Sequence, residues 1–265
     1  MKKFFICSIF LLLILFLVSC SKSESSIKVN DYFNVVLMNN NLPEKILEKG
    51  TYDTNAQSKD LEIVQTMWYG KSVGLIVNVF FDMDIKMPKD TNYVNLQNVK
   101  LLVENKVCTG PFKGECVNIN QQANICTFVM FFYTDLIPNK YDSINLKIEN
   151  IQFFDEESLF YDVARNKEVV WTAEKTGTSI SYKNENNVIS FVDLSPFILH
   201  VEKNQEFNYS SIFLVKDNGE EIPIKRAGTE SSEGEKIKST YFLNEFVDIS
   251  NIKGIKINEI YYPLR

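Results

Sequence analysis

The chain has 265 residues, 45% of them hydrophobic and 13% aromatic, and a formal net charge of −6 at pH 7. That length allows one large or two small domains, and the acidic balance argues against DNA, RNA or anionic lipid as partners, since each selects clustered Lys and Arg. A single histidine, His200, argues against Ser-His, Cys-His and most zinc hydrolase sites, which need at least one placed imidazole and often two or three.

The beginning of the chain sets its expected address. Lys2 and Lys3 flank an uncharged apolar run from Phe4 to Val18, which is shorter than the roughly 20 residues an untilted helix needs to cross a bilayer. The run ends Leu17-Val18-Ser19-Cys20. That ending resembles the lipobox of bacterial lipoproteins, with an aliphatic residue, a tolerant position and a small residue before the cysteine. The resemblance implies that residues 1–19 are a signal peptide and that Cys20 becomes the lipidated first residue. The competing expectation is an uncleaved signal anchor. Acyl chains on one residue hold a soluble body stably on a membrane when there are two of them, so the mature protein is expected outside the cytoplasm, bound to the cell membrane through lipid on Cys20.

Residues 20–56 read as a tether and a short N-terminal segment. Ser21 to Ser26 are small and polar with nothing to bury, and apolar positions between Ile27 and Gly50 suit a short helix or two, broken by Asn39 to Asn41 and Pro43. A first β-sandwich domain is expected over residues 57–175. It opens with a hairpin, Leu61 to Tyr69 and Val73 to Phe81 around Gly70-Lys71-Ser72. In its second strand Ile76 and Phe80 are apolar on the face opposite Leu75, Val77 and Val79, which predicts cover on both faces or a central place in a sheet. Further strands are expected at 98–107, 116–119, 125–133, 143–154, 159–163 and 168–172. Helical period is not sustained anywhere between Lys59 and Thr172, which favours an antiparallel sandwich over a βαβ fold.

A composition shift at Ala173 to Thr178 marks a boundary, and residues 176–265 are expected to form a second β-sandwich domain. Its strands are placed at 179–183, 188–194, 197–202, 211–216, 221–225, 240–246, 254–258 and 260–264. Asp217-Asn218-Gly219 is a hairpin turn, because Asn-Gly tolerates positive φ. Residues 228–238, dense in Glu, Ser, Gly and Lys, are expected to be a mobile loop. The fold class is therefore mainly β, two antiparallel immunoglobulin-like sandwiches after a lipoprotein signal peptide.

Several segments together carry a family resemblance: Leu61 to Phe81, Trp171, Leu194-Ser195-Pro196-Phe197, Lys216 to Ile222, Val247-Asp248-Ile249-Ser250, Ile252-Lys253-Gly254-Ile255 and Tyr262-Pro263-Leu264. Over residues 30–265 the chain resembles the extracellular tandem immunoglobulin-like domains of unknown function in Firmicute envelope proteins, several of which are similar to membrane-anchored anti-sigma factors. The resemblance implies an envelope setting and supplies no catalytic residues.

Three cysteines follow Cys20, namely Cys108, Cys116 and Cys126, in a compartment expected to permit disulfides. If Thr109 to Glu115 is a hairpin loop, its ends approach closely enough for a Cys108–Cys116 bridge; another pairing, or three free thiols, stay open. The spacing of the thiols and His200 does not match paired zinc knuckles. Asp82, Asp84 and Asp90, and Asp155 to Glu157, lack the layout of a calcium loop and read as solvated turns. The aromatic run Phe128, Phe131, Phe132 and Tyr133 suits sandwich packing, and the same rings, if exposed, would suit a glycan or protein partner. No catalytic, metal or cofactor site is expected. The function expected is a non-catalytic binding, structural or sensing module of the envelope, with an unknown envelope protein or glycan as partner. The alternative is an envelope hydrolase acting on cell-wall glycan or peptide through carboxylates.

Overall fold

The computed structural model describes residues 51–81, 87, 91–154, 160–174, 176–204, 211–224, 228–233, 236–243 and 246–265. The expected lipobox with Cys20, the expected tether and short helix, and the acids Asp82, Asp84, Asp90 and Asp155 to Glu157 lie outside the described residues. Within them the regular structure is antiparallel strand, with one 3-10 turn at Ile249–Asn251.

Four sheets make two units. In the first, β1 (Thr51–Gln57), β2 (Leu61–Tyr69), β3 (Ser72–Phe80), β6 (Phe112–Asn120) and β7 (Ile125–Tyr133) form a sheet in the order β1-β2-β3-β7-β6. It faces a second sheet, ordered β5-β4-β8-β9, made of β4 (Tyr93–Val103), β5 (Lys106–Val107), β8 (Ser143–Phe154) and β9 (Phe160–Thr172). Leu61, Leu75 and Phe128 of one sheet meet Leu101, Leu146 and Phe153 of the other in a shared core.

The second unit has the sheet β10-β11-β12-β16-β15, from β10 (Ile180–Lys183), β11 (Ile189–Leu194), β12 (Ile198–Lys203), β15 (Gly228–Glu233) and β16 (Lys236–Phe242). Against it lies β14-β13-β17-β18, from β13 (Ile212–Lys216), β14 (Glu221–Pro223), β17 (Ile252–Ile257) and β18 (Ile260–Pro263). Val192, Leu199 and Val201 meet Leu214, Ile255 and Ile257 in a core of their own.

The first hairpin forms as expected, with Gly70 at φ +56° in its turn. Elsewhere local chemistry redraws the expected strands. The strand expected over 98–107 begins at Tyr93 and is broken near its end, because Glu104 and Asn105 both take positive φ and make a two-residue turn between β4 and β5. The break expected between 163 and 168 is instead a register shift within the continuous β9. Of the residues 228–238 expected as a mobile loop, 228–233 and 236–238 are paired strand in β15 and β16. Their polar composition suits the edge of a sheet, where charge discourages pairing with foreign strands.

The sheet β1-β2-β3-β7-β6 is covered on both sides. Along β7, Phe128, Met130 and Phe132 enter the first unit's core, whereas Val129, Phe131 and Tyr133 point the other way. There they join Met67, Tyr69 and Ile76 against Phe197, Ile198 and Phe242 of the second unit. The Phe197 ring lies 5.4 Å from Phe131, 6.2 Å from Tyr69 and 5.9 Å from Phe246 between centroids. The two-sided hydrophobicity of β3 thus has both of its proposed causes: the strand is central, and a second unit sits on its outer face. The connecting segment is pinned alongside, with Gly177 N–H donating to the Trp68 carbonyl and Gly70 N–H to the Gly177 carbonyl.

A buried cation ties the first unit's two sheets together. Lys167 on β9 is 2% exposed at its side chain. Its ammonium donates to Asp60 at 3.1 Å and to the Phe80 carbonyl at 2.7 Å, and lies over the Phe81 ring. Removing Lys167 leaves the mostly buried Asp60 carboxylate without its counter-charge and the Phe80 carbonyl without its donor. Lys167→Ala is therefore expected to destabilise the protein by about 3 kcal/mol. Lys147→Ala, which breaks the exposed pair with Glu168, should cost less than about 1 kcal/mol. Urea denaturation of the two variants beside the parent checks this.

Candidate functional site: a cleft between the two units

Where the apolar junction ends, a polar cleft of about 450 Å³ begins. Lys71, Thr109, Gly110, Pro111, Tyr133 and Asp135 line it from the first unit, and His200, Glu202, Ser231, Ser232, Lys238 and Thr240 from the second. The first wall is built from the ends of strands: Lys71 from the β2–β3 turn, Tyr133 from the last position of β7, and Thr109 to Pro111 from the crossing between β5 and β6. Backbone bonds fix Tyr133, whose N–H donates to the Pro111 carbonyl, and the next residue, whose N–H donates to the Lys71 carbonyl. Gly110, at φ +149°, runs so close that a β-carbon would sit 2.0 Å from the Tyr133 carbonyl oxygen. Only glycine fits there.

The second wall follows from register. Asp193 on β11, His200 on β12 and Thr240 on β16 are successive cross-strand partners, so their side chains share one face. His200 is buried, with Nδ1 2.8 Å from Thr240 Oγ1 and Nε2 3.5 Å from Glu202. Its ring stacks on Tyr133 with centroids 4.1 Å apart and planes 13° from parallel. The Tyr133 hydroxyl donates to Asp193 at 3.2 Å, so the contact between units ends in a buried hydrogen bond.

These surroundings pull the two carboxylates apart. Glu202 is held below the ordinary glutamate range, first by its hydrogen bond to His200 and then by the positive charges of Lys238 and Lys236. Burial pushes the Asp193 carboxyl above its ordinary range, against the opposing effect of hydrogen bonds from Ser179 and Tyr133. Burial and the neighbouring Asp193 raise the Tyr133 hydroxyl, which stays protonated and can only donate to that acid. Chemically, the cleft offers hydroxyls and ammonium groups beside a carboxylate kept charged. Thr240 is 1% exposed as a residue and its hydroxyl is engaged with His200, so it is closed to a substrate.

Scans against protein-family models and against curated proteins found no match for the chain.

Cys20, the expected lipidation site, lies outside the described residues. Cys108, Cys116 and Cys126 are free thiols. Cys108 and Cys116 are not the ends of a hairpin: Cys108 follows β5 in one sheet and Cys116 lies on β6 in the facing sheet. The thiol of Cys108 meets Thr134, and that of Cys116 meets Cys126. Among the described residues no group of three or more His, Cys, Asp or Glu could hold a metal ion. His200 is a buried histidine on the strand expected over 197–202, yet the sequence alone does not bring Tyr133, Asp193 or Lys71 to it. One signal was present, since Asp193 is a lone acid inside the apolar run Ile189 to Leu194. A buried acid in a strand demands a partner.

The opposed shifts predict opposed pH responses. Glu202 stabilises the fold above the ordinary glutamate range, and that contribution is lost as pH falls through its lowered folded value. Asp193 contributes below the ordinary aspartate range and loses that contribution as pH rises through its raised folded value. Thermal melts across pH should therefore show Glu202→Gln less stable than the parent near neutrality, with the gap closing in acid. Relative to the parent, Asp193→Asn should gain stability as pH rises.

Proposed function

We propose that the protein is a lipid-anchored component of the bacterial cell envelope, displayed outside the cytoplasm. In this proposal it carries two immunoglobulin-like sandwich units and works without catalysis, binding a polar segment of an envelope protein or glycan in the cleft between them. The supporting observation is the cleft itself, because six residues of each unit line one concavity and ligand sites favour such interfaces. Its charges balance within the lining, Lys71 and Lys238 against Asp135 and Glu202. The remaining Thr109, Ser231 and Ser232 hydroxyls suit a polar, uncharged or mixed-charge ligand rather than a polyanion. The lipobox ending at Cys20 supports the anchor, and the resemblance to Firmicute envelope domains supports the setting.

A carboxylate hydrolase fits this geometry less well. It needs an acid held protonated within reach of the scissile bond and a second carboxylate opposite. Glu202 is held charged, while Asp193, the acid with the raised pKa, hydrogen-bonds Tyr133 and Ser179.

The test is crosslinking and pull-down from intact envelopes, with mass spectrometry of residue 20. The native protein should carry acyl chains on Cys20, fractionate with membrane and capture a partner. Cys20→Ala should leave the membrane fraction, and Ser231→Trp, which fills the cleft from an exposed edge strand, should stay anchored and lose the partner. An intact Met1 terminus with an unmodified Cys20 thiol would remove the anchor, and equal capture by native and Ser231→Trp protein would remove the cleft as the binding site.

A further inference from the structure

Cys116 and Cys126 lie on the two strands of one hairpin. Cys116 is paired with Phe128 and Cys126 with Ile119, on either side of a register shift between Cys116 and Asn118. All four side chains belong to the face that meets the first unit's core, and the Cys116 and Cys126 thiols interact there. Diagonal neighbours on one face of adjacent strands lie near the roughly 7 Å Cα separation that a disulfide spans, whereas facing sheets are about 10 Å apart. Cys108, across the sandwich against Thr134, has no such neighbour placed by its strand.

The two thiols are also unlike in a way that orders a reaction. Cys116 is half-buried on the edge strand β6, and its interaction with the Cys126 thiol holds it below the ordinary value despite burial. Cys126 is fully buried, 3.6 Å from the Met87 sulfur, and its thiol is raised. The nucleophile in exchange is the thiolate, and access decides which sulfur reacts first.

We infer that Cys116 and Cys126 are the disulfide-forming pair of this protein, oxidised by exchange with a disulfide carrier. The inference rests on the placement outside the cytoplasm proposed above for its occurrence in the cell, since cytoplasmic thiols are kept reduced. The Cys116 thiolate attacks the carrier disulfide, forming a mixed disulfide and releasing one carrier thiolate, which takes up a proton. Cys126 then loses its proton and attacks the Cys116 sulfur, expelling the second carrier thiol. The protein loses two protons and two electrons as one S–S bond forms, and the carrier disulfide takes them up to become two thiols. The bridge ties the edge strand β6, which begins beside Pro111 of the cleft, to β7, which ends at Tyr133 of the cleft.

The test oxidises the purified full mature chain in a buffer of oxidised and reduced glutathione, alkylates the remaining thiols and maps the peptides. The expected product joins Cys116 to Cys126 and leaves Cys108 alkylated, with a thermal midpoint about 5 °C higher that reverts on reduction. Cys116→Ser, at the half-buried position, should abolish both changes while keeping the reduced protein's midpoint within about 2 °C. A Cys108–Cys116 peptide, or three alkylated thiols after oxidation, overturns the pair. Protein alkylated directly in its host separates the two claims: a bridge there supports both, while free thiols in a chain that bridges in glutathione support the pair and overturn the placement outside the cytoplasm.

Discussion

One sheet buried on both faces governs the rest of this structure. An antiparallel sheet in a sandwich usually turns one face to its partner sheet and one to water, and its strands alternate accordingly. Here β3 and β7 are apolar on both faces, so leaving the outer side wet would expose Met67, Tyr69, Ile76, Val129, Phe131 and Tyr133 together. A patch of that size on a monomer invites association. The second unit removes it with Phe197, Ile198 and Phe242. Burial of each such side chain stabilises by roughly 1.5–3 kcal/mol, so the contact between units draws on the same force as the cores.

The polar cleft follows from where this apolar contact stops. Tyr133 is the last residue of β7, and its ring spans the change: its body packs with the junction cluster and its hydroxyl reaches Asp193. His200 lies flat on that ring and passes the polar contacts on to Thr240 and Glu202. Buried polar groups without partners cost several kcal/mol, and this chain of contacts partners each of them. The result orients the units through directional bonds, which apolar packing alone does not supply. It also leaves the outer hydroxyls and ammonium groups of both walls facing one space.

Much of the fold was legible in the residues because its signals are local. The β2–β3 hairpin follows from Gly70 between two apolar strands, and β7 and β8 have the bounds their patterns suggest. Where the outcome departs from sequence expectation, the reason is pairing. Ser and Glu in 228–233 read as a loop until β16 supplies backbone partners, and Glu104-Asn105 turns the chain inside what looks like one strand. The site was legible only in part. His200 stands out by being alone, and Asp193 by being charged in an apolar run, but their meeting with Tyr133 and Lys71 depends on how two units dock, which no local pattern encodes. The thiols show the same limit. Loop length suggests Cys108 with Cys116, whereas the chain crosses between sheets at that loop and pairing puts Cys126 on the strand next to Cys116, diagonal to it on the same face.

The double cover of this sheet makes a cooperative unit of segments far apart in sequence, and amide hydrogen exchange tests that most directly. Amides of β3 and β7 in the first unit and of β12 and β16 in the second should fall in one slowest class and exchange together, because opening either side exposes the shared apolar face. Exchange of β12 and β16 that runs orders of magnitude faster, while β3 and β7 stay protected, would contradict it and mean that the second unit is not part of what stabilises the first.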